Sequence, residues 1–161
     1  MTIEIGDHIP DVELWKVTDD GFTSVRSGEV LGEGKVVLFA VPGAFTPTCS
    51  DYHLPGFVLR ADDLAAKGVT TIACTSVNDA FVMGAWGQAR EVGDKVVLLA
   101  DGSADFARAL GLDIDLSGGG LGVRSKRFSA IIDDGVITDL MVEDDGLGLE
   151  KSSADGVLDK L

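Results

Sequence analysis

Asp134-Gly135 lies between two apolar runs, Arg127–Asp133 and Val136–Glu143, and it is the strongest short hairpin signal in the chain. What precedes it has a different pattern. Lys35–Val41 reads as a short apolar strand, and Pro47 to about Lys67 is helical in pattern, with Leu59, Ala61, Leu64 and Ala65 at apolar spacing and Gly68 at its end. Val69–Thr75 is a second strand, Asn78 or Asp79 caps a helix through Arg90, Lys95–Ala100 is a third strand, and Ser103–Leu110 is a short helix stopped by Gly111. Strands that alternate with helices call for parallel pairing with helices on both faces. The hairpin then adds antiparallel strands. The expected fold class is therefore α/β, with a central mixed sheet flanked by helices. A last helix, about Ala154–Lys160, follows the Ser152-Ser153 cap. Pro55-Gly56 falls inside the long helical pattern, so a kink or break is expected there. A further hairpin is expected over Asp11–Gly21.

The 161 residues suit one domain, 1–161, with one sizeable core. No apolar run approaches the ~18 residues of a membrane span. The opening residues, Met1 to Asp7, lack the basic and apolar regions of a signal peptide, so a cytoplasmic location is expected. A net charge of −14 repels nucleic acid and anionic lipid, so neither is an expected partner. Cys49 and Cys74 are too few for a disulfide scaffold. With only His8 and His53 beside them, a closed zinc site would have to consume the reactive cysteine described next. Neither a metal nor another cofactor is expected. Ser117-Gly118-Gly119-Gly120-Leu121-Gly122 reads as a loop, without the Lys-Ser/Thr pair of a phosphate loop, and Asp144-Asp145-Gly146 reads as a turn.

Chemistry is concentrated in Val41-Pro42-Gly43-Ala44-Phe45-Thr46-Pro47-Thr48-Cys49-Ser50. Thr is a good N-cap and Pro suits the first helical position, where its missing N–H would be unpaired anyway. Thr46 is thus read as the cap and Pro47 as the first helical residue, which puts Cys49 in the first turn. Backbone N–H groups are unpaired there and the helix dipole is positive, so a thiolate, the nucleophilic form of Cys, is stabilised. A helix start rarely supplies enough stabilisation alone, so a cationic partner is expected. Arg124-Ser125-Lys126-Arg127 places three basic residues in four positions of an acidic chain, and the pattern does not choose among them. His53 lies four residues after Cys49 on one helix face. It is read either as a base or thiolate partner, or as a structural residue held by a hydrogen bond. Cys74 lies in an apolar strand and is read either as a buried core residue or as a second, resolving thiol. Pro42 and Phe45 either wall a pocket or pack the loop.

The segment Pro42–Ser50, together with His53-Leu54-Pro55-Gly56-Phe57, Ser76-Val77-Asn78-Asp79-Ala80-Phe81-Val82 and Arg124-Ser125-Lys126-Arg127-Phe128-Ser129, resembles the peroxiredoxins of the type-five, or plant type-two, subgroup. The motifs occur in order, and the resemblance runs from about Gly6 to the C-terminus. It implies a thioredoxin-like fold, which is also the order of elements read above. It implies a thiol peroxidase that reduces hydrogen peroxide and alkyl hydroperoxides, in which Cys49 attacks the peroxide and becomes a sulfenic acid. By the motif, Thr46 donates a hydrogen bond to sulfur or peroxide, and the family's Arg, directly before Phe-Ser, is Arg127; the backbone N–H groups of Thr48 and Cys49, exposed by the helix start, are further donors to substrate. Animal relatives place a resolving Cys near the C-terminus, whereas Gly148–Ser153 has none, and plant relatives carry a Cys at the place of Cys74. One-cysteine chemistry is expected, recycled by glutathione and glutaredoxin, or by thioredoxin. A homodimer is expected from the resemblance and from apolar loop residues such as Phe45 and Phe81. A peroxide-sensing or chaperone-like module using the same Cys is the competing function. A thioredoxin-type oxidoreductase is disfavoured, since Thr46 and Tyr52 stand where a Cys-x-x-Cys partner would be.

Overall fold

A computed structural model describes residues 2–161. One seven-stranded sheet runs through it in the order β2-β1-β5-β4-β3-β8-β9. The strands are β1 (Glu13–Thr18), β2 (Gly21–Arg26), β3 (Lys35–Val41), β4 (Val69–Ser76), β5 (Val97–Ala100), β8 (Phe128–Asp133) and β9 (Val136–Val142). β3, β4 and β5 pair in parallel, while β8 joins β3 antiparallel and β1 joins β5 antiparallel. The sheet is therefore mixed, with its parallel part at the centre.

β3 is buried from Val36 to Val41 because it serves both faces. Val37, Phe39 and Val41 point into one core and Val36, Leu38 and Ala40 into the other, as the period of two requires. The first core is closed by α2 (Leu54–Leu59), α3 (Ala61–Ala66), α4 (Ala80–Ala89) and α6 (Ala154–Leu158). The second is closed by α5 (Asp105–Leu110), which sends in Phe106 and Leu110. A one-turn helix, α1 (Ser27–Val30), leads from β2 towards β3. Phe39 stacks on Phe57 with ring centroids 4.1 Å apart, tying the sheet to α2. Truncating Phe57 to Ala would cost about 3–5 kcal/mol at such a site.

The Asp134-Gly135 hairpin is present. Both residues take positive φ, 47° and 85°, as a two-residue turn matched to strand twist requires. Asp79 caps α4 by accepting from the Val82 N–H, and Ser153 caps α6 by accepting from the Gly156 N–H. α5 lacks a side-chain cap at its own first residue. The Asp101 carboxylate supplies it from outside, accepting from the N–H groups of Phe106 and Ala107.

Two expectations are corrected. The N-terminal hairpin is β1 with β2 around Asp19-Asp20, later than Asp11–Gly21. β2 is an edge strand with nearly every residue exposed, so it has no buried face to write a period of two into the sequence. The helical stretch from Pro47 does not break at Pro55-Gly56. It becomes helical at Pro47, widens to a π-turn over Cys49–His53, and breaks at Arg60 between α2 and α3. In the π-turn the Leu54 N–H reaches the Cys49 carbonyl five residues back. That wider spacing adjoins a proline that has no N–H to give, so the strain is absorbed before Pro55. A short ribbon that the sequence reading did not include, β6 (Asp113–Asp115) with β7 (Val123–Ser125), brackets the glycine-rich loop. Strands of three residues leave too little periodicity to read.

Candidate active site

β3 ends at Val41, and the next residues form a bend at the carboxyl edge of the parallel strands. In open α/β sheets that edge is where ligands bind. Two side chains hold the bend. Asn78 Oδ1 accepts from the Ala44 N–H at 2.9 Å, and also from Ser76 Oγ at 2.6 Å. Arg124 donates to the Pro42 carbonyl at 3.3 Å and to the Leu121 carbonyl at 2.8 Å. Gly43 is required for this approach, because a Cβ there would stand 2.8 Å from Arg124 Nη1. The structure thus divides the alternative caps of α4: Asp79 caps, and Asn78 ties the loop.

Cys49 opens the π-turn and is fully buried. The next residue, Ser50, accepts the indole N–H of buried Trp86 at 2.9 Å, which pins the turn to α4. Arg127 comes from the start of β8 and is 2% exposed. Its guanidinium makes three bonds: Nη2 to Cys49 Sγ at 3.0 Å, Nη1 to His53 Nδ1 at 2.9 Å, and Nε to the Leu147 carbonyl at 3.1 Å. Among the described residues no carboxylate lies within ion-pair distance of it. A buried cation without an anion is costly. Of the three groups it bonds, the Cys49 sulfur is the one that can become its counter-ion. The geometry chooses Arg127 from the three basic residues, while Arg124 braces the loop and Lys126 packs on Gly146.

His53 stands behind Arg127. Its Nε2 bonds the Ser152 carbonyl at 2.9 Å, so Nε2 carries the proton and Nδ1 is the bare acceptor that receives Arg127. Burial, and secondly the Arg127 charge, push its pKa down to about 3, so the ring is neutral at physiological pH. Neither ring nitrogen bonds Cys49. His53 is a prop for the guanidinium and not a partner of the thiolate.

A cleft of about 480 Å³ opens over this group, walled by Pro42, Thr46, Pro47, Thr48, Leu116 and Leu121, with Arg127 and Leu147 also reaching it. Phe45 is not among its walls: it is 52% exposed and adopts φ 65° in the bend. Thr46 differs from the expected donor. Its hydroxyl proton goes to the Gly43 carbonyl at 2.6 Å, which leaves the oxygen lone pairs as acceptors. Cys74 is fully buried on β4, and burial raises its thiol pKa well above the ordinary value, with the nearby Cys49 adding to the effect. A larger recess, about 880 Å³, lies between β1–β2 and α4, but it holds neither cysteine and no contact to Arg127. Among the described residues no three His, Cys, Asp or Glu side chains converge as metal ligands would, and no helix is long and apolar enough to cross a membrane.

Comparison with known proteins bears on this geometry. A family model described as Redoxin matches residues 4–158. The chain is 50% identical over 165 residues to "Peroxiredoxin-2E-2, chloroplastic" of Oryza sativa subsp. japonica, covering 99% of this chain and 73% of that one. It is 46% identical over 160 residues to Peroxiredoxin-2B of Arabidopsis thaliana, covering 99% and 98%. The solved structure of reduced Prx3 from Vibrio vulnificus in complex with hydrogen peroxide superposes with a TM-score of 0.93 at 48% identity, over 99% of both chains.

Proposed function

Since the chain belongs to the peroxiredoxins and is a thiol-dependent peroxidase of thioredoxin-like fold, we propose that Cys49 is the attacking thiolate and that Arg127 both charges it and holds the peroxide. The observation that carries this reading is the buried Arg127 guanidinium 3.0 Å from Sγ, with no carboxylate of the described residues within ion-pair distance of it. An ionised sulfur is what that pocket lacks. In the proposed step, an Sγ electron pair attacks the terminal, protonated oxygen of a hydroperoxide. An S–O bond forms as the O–O bond breaks. The second oxygen leaves as alkoxide or hydroxide and takes a proton from water, giving alcohol or water, and sulfur is oxidised by two electrons to the sulfenic acid. Charge moves from sulfur to the leaving oxygen, and a forked cation spans both positions better than a point charge does.

Thr46, whose own proton is spent on Gly43, accepts the hydroperoxide O–H and orients it. Pro42 and Thr48 line the approach, and the apolar side chains Leu116, Leu121 and Leu147 suit an alkyl group as well as a bare hydrogen peroxide. Cys74 remains a core residue: it is buried, and a thiol held protonated is a poor nucleophile. An external thiol then closes the cycle, glutathione with glutaredoxin first and thioredoxin second, returning Cys49 with release of water and an external disulfide. Phe45 and Phe81, 52% and 75% exposed, support a homodimer.

Cys49→Ser tests the assignment. Peroxide consumption with an added thiol system should vanish while the far-ultraviolet circular dichroism is unchanged. A folded Cys49→Ser protein with full activity would end it.

A further inference from the structure

Two carboxylates are buried among the described residues, Asp101 and Glu143, each 3% exposed. Asp101 is accounted for by the start of α5. Glu143 has no such helix and no cation partner. It is instead surrounded by the backbone of a segment that follows it. Oε2 accepts from the N–H groups of Glu150 at 3.1 Å, Lys151 at 3.0 Å and Ser152 at 2.8 Å, and from Ser152 Oγ at 2.6 Å. Oε1 accepts from the Lys151 N–H at 3.1 Å. Four donors, making five hydrogen bonds to one carboxylate, form a latch over residues 150–152.

Arg127 is held partly by that segment, through His53, and partly by the turn before it, which Asp145 ties by accepting from the Leu147 and Gly148 N–H groups. The Ser152 carbonyl receives the His53 Nε2–H, which leaves Nδ1 bare for Arg127 Nη1. The Leu147 carbonyl receives Arg127 Nε. The backbone of Arg127 is fixed by the same turn: its N–H donates to the Gly146 carbonyl at 2.7 Å, and its carbonyl accepts from the Glu143 N–H at 3.1 Å. With Nε and Nη1 both committed, only Nη2 is left to face Cys49.

We propose that Glu143 is a positioning residue for the peroxidase reaction: by latching residues 150–152 it aims the Ser152 carbonyl at His53, fixes the His53 tautomer, and so aims the Arg127 guanidinium at Cys49. The inference rests on the reading of Cys49 and Arg127 given above. Glu143 touches neither sulfur nor substrate. Its effect passes through three hydrogen bonds, by way of Ser152 and His53, to the group that does. A guanidinium displaced by about 1 Å is enough to cost up to roughly a hundredfold in rate.

Glu143→Gln keeps the size of the side chain and replaces one acceptor oxygen by an N–H₂ facing donors. The second-order rate constant with hydrogen peroxide is measured across pH for this variant, together with the ¹⁵N chemical shifts of the His53 ring and the far-ultraviolet circular dichroism. The expected result is a folded protein with a rate at least about tenfold lower even on the high-pH plateau, and loss of the fixed Nε2–H signature of His53. A folded variant with an unchanged rate and an unchanged His53 tautomer overturns the proposal, as does one that is less stable but has the same pH profile. If Glu143→Gln does not fold, Ser152→Ala decides. It deletes the shortest bond to the carboxylate and keeps the carbonyl that His53 uses. A lower plateau with a mixed His53 tautomer supports the latch, and an unchanged plateau and tautomer overturns it. Arg127→Gln measured in parallel separates the two claims. If it too retains the full rate, the reading of Arg127 has failed; if it loses the rate while the Glu143 and Ser152 variants keep it, only the latch has failed.

Discussion

Arg127→Gln should damage the reaction in two separable ways. In the native protein Nη2 lies 3.0 Å from Cys49 Sγ. Coulomb's law with an effective dielectric constant of about 20 gives roughly 5 kcal/mol for unit charges at that separation, an upper figure because the guanidinium charge is spread over three nitrogens. Losing the cation removes the attraction that favours a charged sulfur, which is the first effect. The second effect is on the transition state. Loss of a donor aimed at developing charge costs about 10²–10³ in rate, and raising the pH does not restore it. The assay is the second-order rate constant with hydrogen peroxide from pH 5 to 10, with absorbance at 240 nm read in the same samples. Arg127→Lys should recover much of the thiolate and little of the plateau, since an ammonium lacks the fork. If Arg127→Gln reaches the native rate once its thiol is ionised, Arg127 only tunes the sulfur, and the proposed contact with peroxide is wrong. If Arg124→Gln does more harm, the loop brace and the catalytic cation have been interchanged.

Other outcomes follow from the same contacts. His53 has a folded value of about 3 against an ordinary 6.5, so the unfolded chain takes up the proton first. Its contribution to stability is present above pH 6.5 and is lost as pH falls towards 3, with a slope of ~1.4 kcal/mol per pH unit. Urea denaturation between pH 6.5 and 5 should show this slope in the native protein and lose it in His53→Gln; parallel lines would refute the buried neutral ring. Cys74→Ala should keep turnover with glutathione and glutaredoxin within a few-fold, whereas a hundredfold loss, about 2.7 kcal/mol in barrier terms, in a folded protein would make Cys74 a resolving thiol. Sedimentation equilibrium at micromolar concentration should give a dimer that Phe81→Glu weakens, and a strictly monomeric native protein would exclude the proposed interface.

The reacting pair was legible because its signals are local. Thr46-Pro47 marks a helix start three residues before Cys49, and the cluster at 124–127 stands out in an acidic chain. Which of its cations faces the sulfur is a question of strand phase. Arg127 directly precedes β8 and is buried, while Arg124 sits on the short strand β7 at the mouth of the loop. Glu143 left no trace in the sequence. Apart from Ser152 Oγ, its partners are main-chain N–H groups seven to nine residues further on, and every residue type but proline carries those. The one available hint was a carboxylate closing an apolar run at Val136–Glu143, where an exposed strand end would read the same. The π-turn at Cys49–His53 was equally hidden, since its cause, Pro55, predicts trouble in the helix without saying on which side of the proline it will be absorbed.

The central claim is that one thiolate, Cys49, takes one oxygen from a peroxide while Cys74 stays outside the chemistry. Intact mass with a count of free thiols, after one equivalent of hydrogen peroxide and before any reductant is added, tests it most directly. The account predicts a protein heavier by one oxygen atom, reactive towards a sulfenic-acid trap at Cys49, with Cys74 still a free thiol. A product lighter by two hydrogens, with Cys49 and Cys74 joined, or an oxygen found on any residue but Cys49, would contradict it.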